Sequence, residues 1–140
     1  MVLLDGGVKL VKLGTLVKKL IEEESSNQAM AEFTAPLTAL LAKIETLTME
    51  LAVKGQQSAD EVGAAAVDYL RIIGHLVFGY SWARMAKISL EKKSSEDSFY
   101  TAKLATARFY FSRLFPETES LYISARSGAS NLLDLDADLF

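Results

Sequence analysis

Residues 60–87, DEVGAAAVDYLRIIGHLVFGYSWARMAK, decide the predicted fold. This stretch holds the only histidine, His75, and the only tryptophan, Trp82. Its middle, residues 72–83, is apolar on nearly every side of a helix, which is typical of either a membrane span or the central helix of a soluble bundle. The apolar run is shorter than the roughly 20 residues of a span, and charged side chains flank it. We therefore predict a buried central helix around which other helices pack, and no membrane span.

Length and composition limit the classes of protein to consider. A chain of 140 residues is long enough for one domain with a sizeable core, and half of its residues are hydrophobic. The net charge of -3, with no basic cluster, argues against binding to nucleic acid or to an anionic membrane surface. The chain has no cysteine and no signal-peptide pattern at its start, so we expect a cytoplasmic protein without disulfides or thiolate metal sites.

Helical periodicity recurs along the chain, and no strand-like alternation is found. We predict an all-α fold: an up-down four-helix bundle with a long central helix, a short fifth helix and a docked tail. The predicted helices span about residues 6–24, 28–54, 59–92, 95–114 and 116–127, and the tail spans 128–140. All 140 residues are assigned to one helical domain, interpreted as the C-terminal part of a larger enzyme.

Several helix ends carry recognisable signals. Asp5 is a candidate N-cap of the first helix, and Ser94 or Ser95 a candidate cap of the fourth, before the acidic Glu96 and Asp97. Residues 58–61 form a capping-box pattern at the start of the central helix.

The second helix contains a proline, which leaves its start open between two positions. The helix either begins near Thr34 with Pro36 in its first turn, or begins near Asn27 and kinks. The unbroken apolar phase favours the earlier start. Near the other end, Glu50 and Lys54 are spaced to form an ion pair, and Gly55 is expected to stop the helix.

After the fourth helix, Pro116 is expected at the first position of the fifth helix. The tail alternates acidic residues with leucines. Because a solvated tail needs no leucines, we expect this segment to dock on something.

The sequence lacks the motifs of two common site types. A helical di-metal site uses paired Glu-x-x-His motifs, but one histidine cannot supply the pair and the residue three before His75 is Ile72. Gly74 and Gly79 resemble the ends of a phosphate loop, but the required Lys and Ser/Thr do not follow. We interpret both glycines as points where a neighbouring helix approaches closely. No catalytic, cofactor-binding or metal-binding residue is predicted.

The remaining polar and aromatic side chains on these helices are interpreted as packing residues. His75 is expected to be a core histidine with a hydrogen-bonded nitrogen, and Tyr80 and Trp82 are expected to pack in the core. Charged residues in apolar stretches should be paired or reach solvent, and Asp68 is a candidate partner for them. Those charged residues are Arg84, Lys103 and Arg108.

Two phrases resemble a known family. Residues 74–91, GHLVFGYSWARMAKISLE, and residues 99–116, FYTAKLATARFYFSRLFP, resemble the C-terminal helical extension of a subgroup of acyl-CoA dehydrogenases. This extension is the acetyl-CoA dehydrogenase C-terminal-like domain, also seen in 3-methylmercaptopropionyl-CoA dehydrogenases. The resemblance covers nearly the whole chain: LLDGGVKL is similar to the segment linking the dehydrogenase core to the extension, and LDADLF to the family's usual ending.

The resemblance implies chemistry that lies outside this chain. The full enzymes hold FAD, remove an α-proton from an acyl-CoA with a glutamate and pass a hydride to the flavin, in regions that precede the matched part. We therefore expect a non-catalytic domain that packs over the dehydrogenase core of the same polypeptide and meets acyl-CoA only through that core. The matching motif residues are candidates for packing or for the domain interface: His75, Tyr80, Trp82, Arg84, Phe99, Tyr100, Lys103, Arg108, Phe109 and Tyr110.

Two other functions stay open, and one further property is expected. The chain is alternatively a free-standing helical protein–protein interaction module, or a small ligand-binding bundle that uses His75, Tyr80 and Trp82. Without a core to cover it, apolar surface should drive self-association, through the first helix or the tail.

Overall fold

The computed structural model describes residues 7–92 and 98–139. Within these residues the chain forms six α-helices and no strand, which confirms the all-α class and the long central helix. The helices are α1 (Val8–Glu23), α2 (Ala31–Gln57), α3 (Ala59–Glu91), α4 (Ser98–Phe109), α5 (Glu117–Ala125) and α6 (Ser130–Leu133). Short 3-10 turns lie at Gln28–Met30 and Ala137–Leu139, and a π-helical turn, Tyr110–Leu114, follows α4 directly. The predicted caps at Asp5, Ser94 and Ser95, and the acidic Glu96 and Asp97, lie outside the described residues.

The start of α2 confirms the earlier of the two predicted positions. The side chain of Asn27 accepts a hydrogen bond from the backbone N–H of Ala29 (3.2 Å) and caps a 3-10 turn that leads into the helix. Pro36 therefore lies inside α2. At the other end Gly55 does not stop the helix, which continues to Gln57.

The ion pair expected between Glu50 and Lys54 is wrong. The Glu50 carboxylate instead accepts two hydrogen bonds from Arg126, at 2.7 and 2.8 Å, and Lys54 lies 3.5 Å from Glu61. Both side chains thus join α2 to other elements. A contact within one helix was predicted because sequence spacing shows only neighbours on the same helix.

The capping box at the start of α3 forms only in part. The Ser58 hydroxyl accepts from the backbone N–H of Asp60 (3.2 Å), as expected of an N-cap. Glu61 does not complete the box, since its carboxylate accepts from the backbone N–H of Ala129 (3.0 Å). This contact fastens the chain after α5 to the beginning of α3.

Helices α2 and α3 are the central pair of the bundle. They run antiparallel through a short connection at Ser58, and α3 also packs against α4 and α5, while α1 packs mainly on α2. The largest fully buried side chains come from α1, α2, α3 and the turn before α2. They are Phe33, Met30, Leu37, Ile44, Leu47, Ile72, Leu76 and Val17.

The prediction that other helices wrap α3 on all sides is wrong for one face. Its buried residues follow a single stripe, and only 22% of its most apolar 18-residue window is buried. We call the remaining apolar stripe the open face of α3; it consists of Val67, Leu70, Val77, Phe78 and Ile88, all exposed. By length and composition, α3 is also long and apolar enough to cross a membrane. This is weak evidence for a membrane span, because the core helices of soluble proteins meet the same criterion.

The tail leucines do not dock on the bundle of this chain, and which surface they meet stays a prediction. Ala129 is buried, but from Ser130 to Leu139 every residue is exposed. Those exposed residues include Leu132, Leu133, Leu135 and Leu139. The tail is attached to the bundle at its beginning and presents its apolar side chains outward.

The two glycines of the central helix differ in their surroundings. A Cβ at Gly79 would lie 2.9 Å from Leu37 Cδ2 and 2.9 Å from Phe115 Cε2, so α2 and the chain before α5 approach α3 at this point. A Cβ at Gly74 would meet nothing within 4 Å. The predicted close approach is therefore confirmed for Gly79 and wrong for Gly74.

Candidate functional site

The π-helical turn at the end of α4 places Tyr110 in a polar cluster with His75. One extra residue per turn lets the backbone N–H of Phe115 donate to the carbonyl of Tyr110 (2.9 Å). Such turns are frequent at functional sites because they change the direction of side chains within a helix. Here Tyr110 and Phe115 are both buried, and their rings lie 6.1 and 6.4 Å from the ring of His75.

His75 is engaged through both ring nitrogens. Its Nδ1 lies 2.9 Å from the Tyr110 hydroxyl, and its Nε2 lies 2.7 Å from Glu117 Oε2. Since an ionised carboxylate can only accept, Nε2 carries a proton and donates to Glu117. Arg71, one turn before His75, donates to the other oxygen of the same carboxylate. The predicted core histidine with a hydrogen-bonded nitrogen is thus found at the side of the bundle, in a network of four side chains.

The electrostatics of this network favour a charged Glu117 and a neutral Tyr110. The hydrogen bond from His75 lowers the pKa of Glu117, opposed in part by desolvation and aided by Arg71. Burial, with the nearby Glu117 charge, raises the pKa of Tyr110 to about 12. Each of the four side chains has a hydrogen-bond partner within the cluster, and the arrangement holds α5 against α3.

An open cleft of about 520 Å³ lies over the His75 network. Its walls add Phe78, Trp82, Arg113 and Leu114 to His75, Tyr110 and Glu117. The Trp82 ring stacks on Tyr110 with 6.4 Å between centroids. The structure therefore brings together three of the ten motif residues, namely His75, Trp82 and Tyr110.

Tyr80 and Arg84 form a separate pair on another side of α3. The Arg84 guanidinium lies 5.7 Å from the centroid of the Tyr80 ring, within the range of a cation–π contact. Asp68 is not its partner, because sixteen residues of helix separate the two positions by about 24 Å. The partner suggested by the sequence is therefore wrong for Arg84.

The motif residues of α4 lie away from the cleft. Lys103 lies over the Phe99 ring (5.5 Å), which in turn meets Tyr100 edge to face (5.3 Å). Arg108 donates to both oxygens of Glu32 on α2, at 2.8 to 3.1 Å, which confirms that this charge is paired. Phe109 is exposed.

Sequence reasoning missed Glu117 and Arg71 as members of the cluster. Glu117 directly follows Pro116, the expected start of the fifth helix, and was not predicted to contact another helix. Arg71 and His75 lie four residues apart on one face of α3. A basic pair at this spacing in an apolar helix signals an acidic partner on another element, and that signal was available.

The described residues contain no cluster of metal ligands. No group of three or more His, Asp or Glu side chains among them could hold a metal ion. No step of flavin chemistry is assigned to these residues.

A family model describes most of this chain. The model is acetyl-CoA dehydrogenase C-terminal like, and it matches residues 13–136. No curated protein matches the sequence significantly. The match includes all six helices except the first residues of α1, and it covers the His75 network and the two resembling phrases. The chain belongs to the acetyl-CoA dehydrogenase C-terminal-like family.

Proposed function

We propose that this chain is the non-catalytic C-terminal helical domain of an FAD-dependent acyl-CoA dehydrogenase, where it contributes to assembly or to shaping the acyl-CoA site. Family membership supports this proposal, since the domain is named after such enzymes. The 3-methylmercaptopropionyl-CoA subgroup and a cytoplasmic location are part of the same proposal. They are supported by the two motif phrases and by the absence of cysteine, respectively.

The open face of α3 is the observation that carries the proposal. The five residues lie on one side of α3 between Val67 and Ile88, along about 32 Å of helix, with the exposed Ser81 and Arg84 among them. Exposed apolar side chains grouped on one side of a folded protein often mark an interaction surface. Because the bundle leaves this stripe on its longest helix uncovered, the dehydrogenase core is the partner that the family membership indicates.

The chemistry of the cluster supports a structural role for the domain. His75 is the only histidine of the chain, and both of its ring nitrogens are hydrogen-bonded within the bundle. The proton transfer and hydride transfer of the family are therefore proposed for the core and not for this chain.

The proposal is tested in the full enzyme that carries this domain. Leu70→Glu places a charge in the centre of the open face, and Ile123→Glu on α5 is the matched control, because both native side chains are 70% exposed. We expect Leu70→Glu to lose bound flavin, measured as visible absorbance per chain, or to lower acyl-CoA dehydrogenase activity. Ile123→Glu should change neither. Equal effects of the two substitutions, or no effect of Leu70→Glu, would overturn the assignment of this face to the core.

A free-standing interaction module remains the alternative, since an open apolar face would serve it equally well. The two functions are separated by mixing the 140-residue chain with a dehydrogenase core that lacks it. Formation of a complex that breaks with Leu70→Glu supports the dehydrogenase domain. Absence of a complex with the core supports the free-standing module.

A further inference from the structure

One side of α3 carries a seven-residue repeat. Between residues 60 and 88, nine positions that we call the seam recur at alternating spacings of three and four residues, and all are exposed except the half-buried Gly74. The seam consists of Asp60, Gly63, Val67, Leu70, Gly74, Val77, Ser81, Arg84 and Ile88. This is the a and d spacing of a two-stranded coiled coil, in which two long helices cross at about 20°. The seam therefore has the spacing of a surface that packs against another long helix.

In the part of the chain that the structure describes, no helix covers this seam. Val67 lies nine residues from the fully buried Leu76, and at 100° per residue that separation puts them on opposite sides of α3. A Cβ at Gly63 or at Gly74 would meet nothing within 4 Å. Glycine inside a helix costs about 1 kcal/mol relative to alanine, and no contact of the described residues calls for it at these two positions. Close approach of a helix from another chain would account for both.

The two charged positions of the seam are unpaired among the described residues. Asp60 and Arg84 are exposed, and neither belongs to an ion pair within the described ranges. They lie 24 residues apart, or about 36 Å along the helix, so they cannot pair within one chain. A charge that is covered by a partner needs an opposite charge beside it. The partner must therefore offer a carboxylate to Arg84 and a cation to Asp60, and a second copy of α3 carries both.

We propose that two copies of this chain pack through the seam as an antiparallel pair of α3 helices, with Arg84 of each copy paired with Asp60 of the other. The two ion pairs lie at the two ends of the contact, and the apolar positions lie between them. A two-fold axis relates the copies, so every contact forms twice. The self-association expected from the sequence is thereby placed on α3 and not on the first helix or the tail.

The register that joins the charges also matches side chains of different size. With Asp60 opposite Arg84 of the second copy, Val67 lies opposite Val77 of that copy, and Leu70 lies opposite Gly74. Each leucine then fills the space that a glycine leaves, which is how large and small side chains alternate in a well-packed interior. Charge and volume are satisfied by the same alignment.

Other alignments of the two helices satisfy neither or only one of these conditions. A parallel pair in equal register places Arg84 opposite Arg84 and Gly74 opposite Gly74. An antiparallel pair shifted by one heptad in one direction sets Gly74 opposite Gly63, which leaves a gap. Shifted in the other direction, it sets Arg84 opposite Val67, where no carboxylate lies. The proposed register is therefore the one that like-charge repulsion and unpaired charge do not disfavour.

One flank of the seam fits the same register. Phe78, which is 60% exposed, lies opposite Ala64 of the second copy, so a large ring meets a small side chain. Near the two-fold axis Arg71 lies opposite its own copy. The charge of each Arg71 is balanced by the ion pair with Glu117 of its own chain.

This proposal goes beyond the docking of the open face to the dehydrogenase core, and it concerns the chain without that core. Four of the five residues of the open face belong to the seam, namely Val67, Leu70, Val77 and Ile88. Because one surface cannot meet two partners at once, the core and the second copy should compete for it.

Charge reversal tests the pairing directly. Arg84→Glu and Asp60→Lys each replace both ion pairs by pairs of like charge, so each variant alone should have a dimer dissociation constant at least tenfold weaker than the native chain. Sedimentation equilibrium at low salt measures this constant. Mixed in equal amounts, the two variants should form a heterodimer of about native affinity, because one chain then supplies two acidic positions and the other two basic ones. Lys12→Glu on α1 is the control and should leave the dimer unchanged. All three native side chains are exposed, so the variants should fold, as circular dichroism can check.

An apolar substitution gives a second measurement. Leu70→Ser should weaken the dimer at least tenfold, whereas Ile123→Ser on α5, a residue that is equally exposed at 70%, should leave it unchanged. A native chain that stays monomeric at high concentration would overturn the proposal and leave the docking to the core standing. Charge variants that do not associate on mixing would also overturn it, because another face would then hold the dimer. A core that binds the dimer without dissociating it would support the dimer and contradict the docking of the open face to the core.

Discussion

Alanine substitutions at the two glycines of the central helix separate backbone preference from packing. Gly79 is buried, and an added Cβ would lie 2.9 Å from carbons of both Leu37 and Phe115. Gly74, five residues earlier on the same helix, has nothing within 4 Å of the position of such a Cβ. Both positions are well inside α3, so the helix-propensity change is the same for both and the difference between the variants reports packing alone.

The expected magnitudes follow from these contacts. Replacing Gly by Ala inside a helix gains about 1 kcal/mol, so Gly74→Ala should stabilise the chain by about that amount. At Gly79 the same gain is opposed by overpacking, which costs about 1–3 kcal/mol where neighbours are already buried. Leu37 is fully buried and Phe115 belongs to an aromatic cluster with Tyr110 and Phe111, so neither can move freely. The free energy of unfolding of Gly79→Ala should therefore be lower than that of Gly74→Ala by about 1–3 kcal/mol.

Urea unfolding followed by circular dichroism measures this difference, and thermal melting offers a check. For a chain of this size, 1 kcal/mol corresponds to about 4 °C in melting temperature, so the two variants should differ by about 4–12 °C. If Gly79→Ala proves as stable as Gly74→Ala, α2 and the segment before α5 do not approach α3 at this residue, and the close packing described above is wrong.

The remaining predictions concern the His75 network. Tyr110→Phe should lower the free energy of unfolding by about 1 kcal/mol, because His75 Nδ1 loses its partner. An ultraviolet titration of the native chain should show a tyrosine ionising near 12 that is absent from this variant. Since the folded pKa of Tyr110 lies above the unfolded value of 10.0, its contribution to stability should be lost as pH rises from about 10 to about 12. The folded pKa of Glu117 is lowered, so the stability that its carboxylate contributes is present above the unfolded value of 4.5 and is lost as pH falls below that value. The difference in melting temperature between the native chain and Glu117→Gln should therefore shrink in acid. A constant difference across that range would show that the carboxylate does not stabilise the fold.

Local patterns predicted the helices well, because hydrophobic period and capping residues act over one or two turns. The apolar residues of α2 keep a regular helical spacing across Pro36, and this spacing correctly predicted the earlier start of the helix. The observed bounds of α3 differ from the predicted span by one residue. The fourth helix was expected to run to residue 114, and it does so only by changing to a π-helical turn at Tyr110. Nothing in the local sequence distinguishes that turn from a regular helix.

Contacts between distant residues were predicted less well. Glu50, Lys54 and Glu61 were each assigned to neighbours in sequence, and each binds a different element in the structure. A side chain of this length reaches several partners, and which one it meets depends on where the helices pack.

The amino-acid sequence by itself determined that this protein is an all-α bundle around residues 60–87 and that the family phrases lie on α3 and α4. Only the tertiary structure decided that α3 is covered on one side and open on the other. Apolar composition shows that a helix face prefers burial, but it does not show whether another helix of the same chain packs on that face. The structure also joined His75 to Tyr110 and Glu117, since helix packing alone brings residues 35 and 42 positions apart within hydrogen-bonding distance.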